Sequence, residues 1–228
     1  MRLLVHVEGE TEESFVNEVL RGHLLNHGYT SVAARLLGNA RQRQRRGGAR
    51  AWSGVSQEIL KHLRQDPGCI ATMMVDFYAL PATGTKAWPG RKKAADLQGL
   101  DKATAVEEAL AKDLRRQDPG LRASRFVPFV VLHEFEGLLF SDSQAFAAGI
   151  CQPSLASELQ AIRDRFESPE HINDDPLTAP SKRVLSLYPQ YQKPLLGSLA
   201  MLEIGLSTVR RECAHFNGWL ETLEQLAP

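Results

Sequence analysis

Four short segments, residues 3–7, 31–37, 70–75 and 126–132, are built largely from apolar and β-capable residues. Helical patterns separate them. Phe15, Val16, Val19, Leu20, Leu24 and Leu25 recur at helical spacing in the first gap, residues 52–64 in the second, and the charge-rich residues 100–116 in the third. Strands apolar on both faces that alternate with helices fold as a parallel sheet covered on each side, because neither face can be left in water. The spacing therefore predicts the α/β class, a Rossmannoid parallel sheet of about four strands flanked by helices. Thr11 followed by Glu12 and Glu13 predicts a helix N-cap, Gly28 a helix stop, and Asp66-Pro67-Gly68 a turn.

The pattern changes after about Ser141. Pro153, Pro169, Pro176, Pro180, Pro189 and Pro194 divide the remainder into helical segments too short to carry a core alone. The chain is thus read as an α/β core, residues 1–140, with a helical cap, residues 141–228, packed on it. The apolar set Phe216, Trp219, Leu220 and Leu223 forms one face of the last helix, directed at the sheet or at a partner.

Ligands of open α/β sheets bind at the carboxyl ends of the strands. Three of the four strand ends carry acid here: Glu8 after the first, Asp76 after the third, and Glu134 with Glu136 after the fourth. Glu12 lies one helical turn beyond Glu8 and can point to the same place. Taken singly, each acid also suits a helix cap or a solvated loop. Gathered at one edge they repel one another unless a cation joins them, and oxygen-rich sites of this kind suit Mg²⁺ or Mn²⁺. Such ions activate water and stabilise charge on a transferring phosphoryl group.

The chain carries 27 Lys+Arg against 27 Asp+Glu, a sum that argues against binding nucleic acid by bulk charge. The signs are sorted, however. Arg41, Arg43, Arg45, Arg46 and Arg50 fall in one Gly- and Gln-containing stretch, and Lys86, Arg91, Lys92 and Lys93 surround Trp88-Pro89-Gly90 in the loop after Asp76. Basic loops of this composition neutralise phosphates, and Trp52 or Trp88 offers a surface on which bases stack. Lys182, Arg183 and Lys193, with Tyr191, in the cap suit closing over a phosphate, and surface salt bridges explain them equally well. His133 reads as a hydrogen-bonded core residue, and Phe135, Leu138, Leu139 and Phe140 as core. The partner implied is nucleic acid, DNA or RNA.

No apolar run approaches the roughly 20 residues that span a bilayer. The N-terminus meets His6, Glu8 and Glu10 too soon for a signal peptide. Scattered Cys69, Cys151 and Cys213 fit a reducing cytoplasm and argue against a thiolate metal site. Zinc-type Cys/His spacing is absent, and so are the Gly-x-x-x-x-Gly-Lys-Ser/Thr phosphate loop, the Gly-x-Ser-x-Gly elbow and the Gly-x-Gly-x-x-Gly fingerprint.

Val7-Glu8-Gly9-Glu10-Thr11-Glu12 followed by an apolar strand ending in Asp76 resembles the Toprim fold of topoisomerases, primases and the overcoming-lysogenization-defect nucleases. More closely, Val-Glu-Gly-x-Thr-Glu, residues 76–81 and residues 133–140 resemble the bacterial domain-of-unknown-function family 4276. Pro180-Ser181-Lys182-Arg183, Tyr191-x-Lys193-Pro194 and Phe216-x-x-Trp219-Leu220 add to that resemblance. It implies a Toprim-like, Mg²⁺-dependent nuclease, encoded beside AAA- or ABC-type ATPases in neighbourhoods linked to phage defence and able to form oligomers. On that resemblance Glu8 is a general acid/base or metal ligand, Glu12 the second glutamate of the nuclease branch, and Asp76 the first aspartate of an Asp-x-Asp motif. The second aspartate is Tyr78 here, and Glu134 or Glu136 is inferred to replace it. Two alternatives stay open: a non-catalytic sensor or effector subunit of an ATPase-containing complex, and a small-nucleotide phosphohydrolase.

Overall fold

A computed structural model describes residues 1–37, 50–172 and 178–227. The four apolar segments are strands: β1 (Arg2–Val7), β2 (Ser31–Leu36), β3 (Cys69–Asp76) and β4 (Phe126–Val131). They form one parallel sheet in the order β2-β1-β3-β4. In register, His6 lies between Arg35 of β2 and Met73 of β3, and Asp76 opposite Val131 of β4. Strand β4 is an edge, which is why it tolerates Pro128, a residue with no N–H for a ladder. The Glu107 carboxylate accepts the Val130 N–H at 2.7 Å and so closes part of that edge.

Helix α1 (Glu10–Phe15) continues through a π-helical turn (Val16–Leu20) into α2 (Arg21–Asn26), and α3 (Trp52–Gln65) joins β2 to β3. The short α4 (Arg91–Ala94) and long α5 (Asp101–Gln117) join β3 to β4. Alternate strand residues feed two cores. Leu3, Val5, Val7, Met74 and Phe129 pack with α1 and α2, whereas Ala71, Met73, Val75 and Val130 pack with α3 and α5. Both faces of the sheet are therefore covered, as the unbroken apolar strands require. The helix predicted to be capped by Thr11 instead takes Gly9 as its N-cap, and Thr11 is buried inside the first turn.

After β4 the chain enters a 3₁₀ segment (Phe135–Ser141). Among the described residues that follow are the α-helices α6 (Ser143–Gly149), α7 (Ala156–Arg163), α8 (Pro180–Leu187), α9 (Lys193–Ile204), α10 (Leu206–Glu212) and α11 (Ala214–Leu226). Their apolar residues, among them Phe146, Met201 and Phe216, share one continuous core with Leu3, Val5 and Val7 of β1. Gly149 lets α6 and α9 close together, since a Cβ there would lie 2.5 Å from the Ala200 Cα. The apolar face of α11 packs on the sheet. Trp219 stacks on Phe129 at 4.7 Å and donates its indole N–H to the Thr72 hydroxyl at 2.9 Å. That hydroxyl in turn donates to the Val127 carbonyl, so no polar atom of the pair is left bare in the core. No helix among the described residues is long and apolar enough to cross a membrane.

Candidate functional site

The strand order reverses between β1 and β3, because the chain leaves β1 toward β2, crosses back to β3 and continues outward to β4. A crevice opens at the carboxyl edge beside such a switch point, where the flanking connections run to opposite sides. Glu8 follows β1 directly and Asp76 ends β3, so both stand at that crevice. Pairing of the two strands holds them together: the Asp76 backbone N–H donates to the Glu8 carboxylate.

Glu12 is drawn in by its helix. It lies in the first turn of α1, and its carboxylate accepts its own N–H and that of Gly9, the acid half of a capping box. Gly9 makes room for this return, since a Cβ there would sit 2.9 Å from Glu12 Oε2. The Glu12 side chain is nonetheless buried and feels the charges of Lys193 and Glu134.

Glu134 and Glu136 come from the turn after β4. Glu134 Oε2 accepts the Ser181 backbone N–H at 2.9 Å, so the first turn of α8 fastens it. Lys193, the first residue of α9, places its ammonium 3.7 Å from Glu134 Oε1 and 3.2 Å from Glu136 Oε2. Glu136 is 3% exposed, a depth at which a carboxylate requires such a partner. The buried Tyr191 hydroxyl, near the same two glutamates, has no hydrogen-bond partner among the described residues.

Electrostatics reflects this crowding. Burial, and then Glu12, pushes the Glu8 carboxyl up to about 8. Asp76 is driven well above the usual carboxylate range by burial and by Glu8, Glu12, Glu136 and Glu134 in turn. Burial lifts Glu136 to about 7, with Lys193 opposing the rise and Glu134 adding to it. Burial alone would lower Lys193, but Glu136 and Glu134 hold its ammonium above the ordinary lysine value. Among the described residues Lys193 pairs with Glu134 and Glu136, and crowding and burial raise the proton affinity of Glu8, Glu12, Asp76 and Glu136.

Among the described residues the donors are the carboxylate oxygens and the buried Tyr191 hydroxyl, which has no hydrogen-bond partner there, and such a set fits a hard divalent ion. Direct ligation by three of these carboxylates together is not what the side chains present, because no such trio among the described residues brings its oxygens within 4.8 Å of one another. That spacing suits Mg²⁺, which keeps several waters and takes one or two carboxylates.

The other predicted residues are placed as follows. Arg41, Arg43, Arg45 and Arg46 lie outside the described residues. Arg50 is paired with Glu58 at 2.6 Å. Lys86, Lys92 and Lys93 are exposed on the connection after Asp76. Arg91 lies 3.8 Å over the Phe77 ring and donates to the Phe77 carbonyl at 2.9 Å, which fastens the turn directly after Asp76. Lys182 is exposed on α8, while Arg183 donates to the Thr178 carbonyl and covers the Phe166 ring. With Arg165 they line a surface groove of about 450 Å³.

The expectation that Trp52 or Trp88 offers a base-stacking surface is overturned. Both are buried, 5% and 4% exposed, with their rings 5.1 Å apart. Their indole N–H groups are used inside, on Asp113 and on the Arg50 carbonyl. The loops around them are basic, but the large apolar rings gain more from the core than from solvent. The exposed aromatic at the site is Tyr78, which stacks on buried His133 with ring centres 5.5 Å apart.

The sequence leaves Lys193 open between a phosphate contact and a surface salt bridge, and the structure pairs it with Glu134 and Glu136, partners the sequence does not identify. A signal was present: a lysine at the first position of a helix stands at the wrong end of the helix dipole, which points to an anion facing it. The Ser181 N–H carried no signal, since its role depends on where α8 packs.

Comparison with curated proteins returned no match. Among solved structures, the C-terminal region of the Xanthomonas campestris pv. campestris OLD protein aligns over 98% of this chain and 94% of its own in both its mercury-phased and iodine-phased forms. Identity is 14% and 16%, and the TM-scores are 0.44 and 0.42. The model of a domain of unknown function, DUF4276, matches residues 7–224, and the chain belongs to that family.

Proposed function

We propose that the chain is a divalent-metal-dependent phosphodiester hydrolase acting on nucleic acid. The observation that carries this reading is the crevice at the β1/β3 switch point, where Glu8, Glu12, Asp76, Glu134 and Glu136 converge and where, among the described residues, Lys193 pairs with Glu134 and Glu136. Mg²⁺ or Mn²⁺ held by Glu8 and Asp76, with waters completing its shell, would supply the charge that acidifies water and steadies the phosphorane oxygens. Glu12, which burial raises above the ordinary carboxylate value, would move a proton at a phosphodiester oxygen. Lys193 brings a cation from the cap to the crevice, suited to a phosphate oxygen. Lys86, Lys92 and Lys93 hold the polyanion beside the crevice.

The test is cleavage of single- and double-stranded DNA and RNA with Mg²⁺ or Mn²⁺, comparing the parent with Glu8→Gln and Asp76→Asn. Both variants are expected to lose cleavage while keeping the parent's circular dichroism. Divalent-dependent cleavage at the parent's rate in either variant would remove the site assignment.

Tyr78 at the position of an expected aspartate favours a second reading, a non-catalytic subunit that acts through an ATPase partner. It predicts neither cleavage of any nucleic acid nor a rise in Tm with millimolar Mg²⁺ or Mn²⁺.

A further inference from the structure

At the opposite edge of the sheet, where Thr30 donates to the Met1 carbonyl and the Tyr29 hydroxyl to that of Leu223, a second constellation joins the two ends of the chain. His23 on α2 and His27, which caps it, are one helical turn apart. Glu224 of α11 faces both. Its Oε1 lies 2.5 Å from His23 Nε2 and 3.9 Å from His27 Nε2. One ligand atom from each of the three residues falls within 4.8 Å of the others.

We propose that His23, His27 and Glu224 form a binding site for a borderline transition-metal dication, Zn²⁺ foremost. Two imidazoles and one carboxylate are a donor set for zinc, and a poor one for Mg²⁺ or Ca²⁺, which take oxygen.

The surroundings prepare these groups for that role. His27 Nδ1 is 2.8 Å from the His23 carbonyl, an atom that only accepts. The His27 proton is therefore on Nδ1, and the lone pair on Nε2 is left for a ligand, the second-shell arrangement that fixes a metal-binding tautomer. Arg210 donates to Glu224 Oε2 at 3.1 Å and to the Asn217 side chain at 2.7 Å, so the carboxylate is oriented from behind. Its other nitrogen, 2.5 Å from Glu224 Oε1 and 3.5 Å from His23 Nε2, lies against two of the ligand atoms and has to swing aside for an ion to enter. Tetrahedral zinc at about 2.0–2.1 Å from each ligand needs ligand atoms about 3.3 Å apart. His23 must then retreat from Glu224 and His27 approach it, each by less than about 1 Å, and His27 is an exposed residue at a helix end. As the metal–nitrogen bond forms, the proton that His23 Nε2 shares with Glu224 leaves to solvent, and Nδ1 carries the one proton of the neutral ring, taken up from solvent where it was not already there. A water completes the coordination.

Contrary to the absence expected from the sequence, His23-x-x-x-His27 is a zinc-type histidine pair, and its third ligand lies about 200 residues away at Glu224. Bound there, the ion would clamp α2 to α11 and stabilise the folded chain by mass action.

The test is calorimetric titration of the metal-stripped full-length protein with Zn²⁺ in millimolar Mg²⁺, with Co²⁺ absorption as a reporter of nitrogen ligation. The parent and Asp76→Asn are expected to bind one zinc alike, with a visible tetrahedral Co²⁺ band and a raised Tm. His27→Ala is expected to lose more than the roughly 10–100-fold that loss of an outer-shell partner costs, together with the band. Absence of zinc binding in the parent, unchanged binding in His27→Ala, or loss of binding in Asp76→Asn would each overturn the proposal.

Discussion

Glu8→Gln isolates the charge of one carboxyl at nearly constant shape, and its effect on stability follows from the crowding at the crevice. A carboxyl that holds its proton more tightly when folded than when unfolded favours the fold at low pH. That contribution is whole below the unfolded value near 4.5 and is lost as pH rises through about 8. At about 1.4 kcal/mol for each tenfold change in proton affinity, the interval between those values corresponds to up to about 5 kcal/mol. Solvent reaches the partly exposed Glu8, which reduces the expectation to about 2–4 kcal/mol. Metal-free parent protein should therefore be less stable at pH 8 than at pH 5. With a urea slope of about 2–3 kcal/mol/M, its unfolding midpoint should fall by roughly 1 M. In Glu8→Gln most of that fall should vanish, because the charge is gone and Asp76 is relieved of its largest electrostatic neighbour. Millimolar Mn²⁺ should restore the parent's midpoint at pH 8 and do little for the variant. Equal midpoints at the two pH values in the parent, or the same fall in Glu8→Gln, would refute the view that unneutralised acid is packed at this edge.

Lys193→Met should cost about 1–3 kcal/mol at pH 8 and little at pH 5, since buried Glu136 loses its counter-cation and can respond only by keeping its proton; an equal loss at both pH values in urea unfolding would contradict this. Gly9→Ala should leave stability within about 1 kcal/mol but weaken Mn²⁺ binding severalfold by calorimetry, because the added Cβ meets only the flexible end of Glu12. Gly149→Ala should cost about 1–3 kcal/mol or more, as its Cβ would enter the Ala200 backbone and part α6 from α9; a neutral result in thermal unfolding would show that the contact is loose. Trp219→Phe keeps the stacking on Phe129 but strips the Thr72 hydroxyl of its donor, and should cost about 1–3 kcal/mol.

The parallel sheet was legible because strands such as Ile70 through Val75 are apolar at every position but Thr72, a short run that a half-exposed strand does not show. Glu8 and Asp76 were legible for the same reason: an acid directly after such a run has to emerge at the carboxyl edge. The start of the first helix was misplaced because Thr11 is an intrinsically good cap, while burial and the return of Glu12 to the Gly9 N–H chose Gly9.

What the linear order could not express is convergence. Lys193 meets Glu134 and Glu136, Ser181 fastens Glu134, and His23 and His27 meet Glu224 only because the C-terminal helices share a core with β1 and α1. The tryptophans went inside for a related reason: their worth to the core depends on neighbours, Asp113 and the Arg50 carbonyl, supplied by other elements. Local periodicity and apolar content belong to the chain and determine which segments become strands. The balance of charge at a buried site belongs to the packing, and only the tertiary structure decides which acid finds a proton and which a lysine.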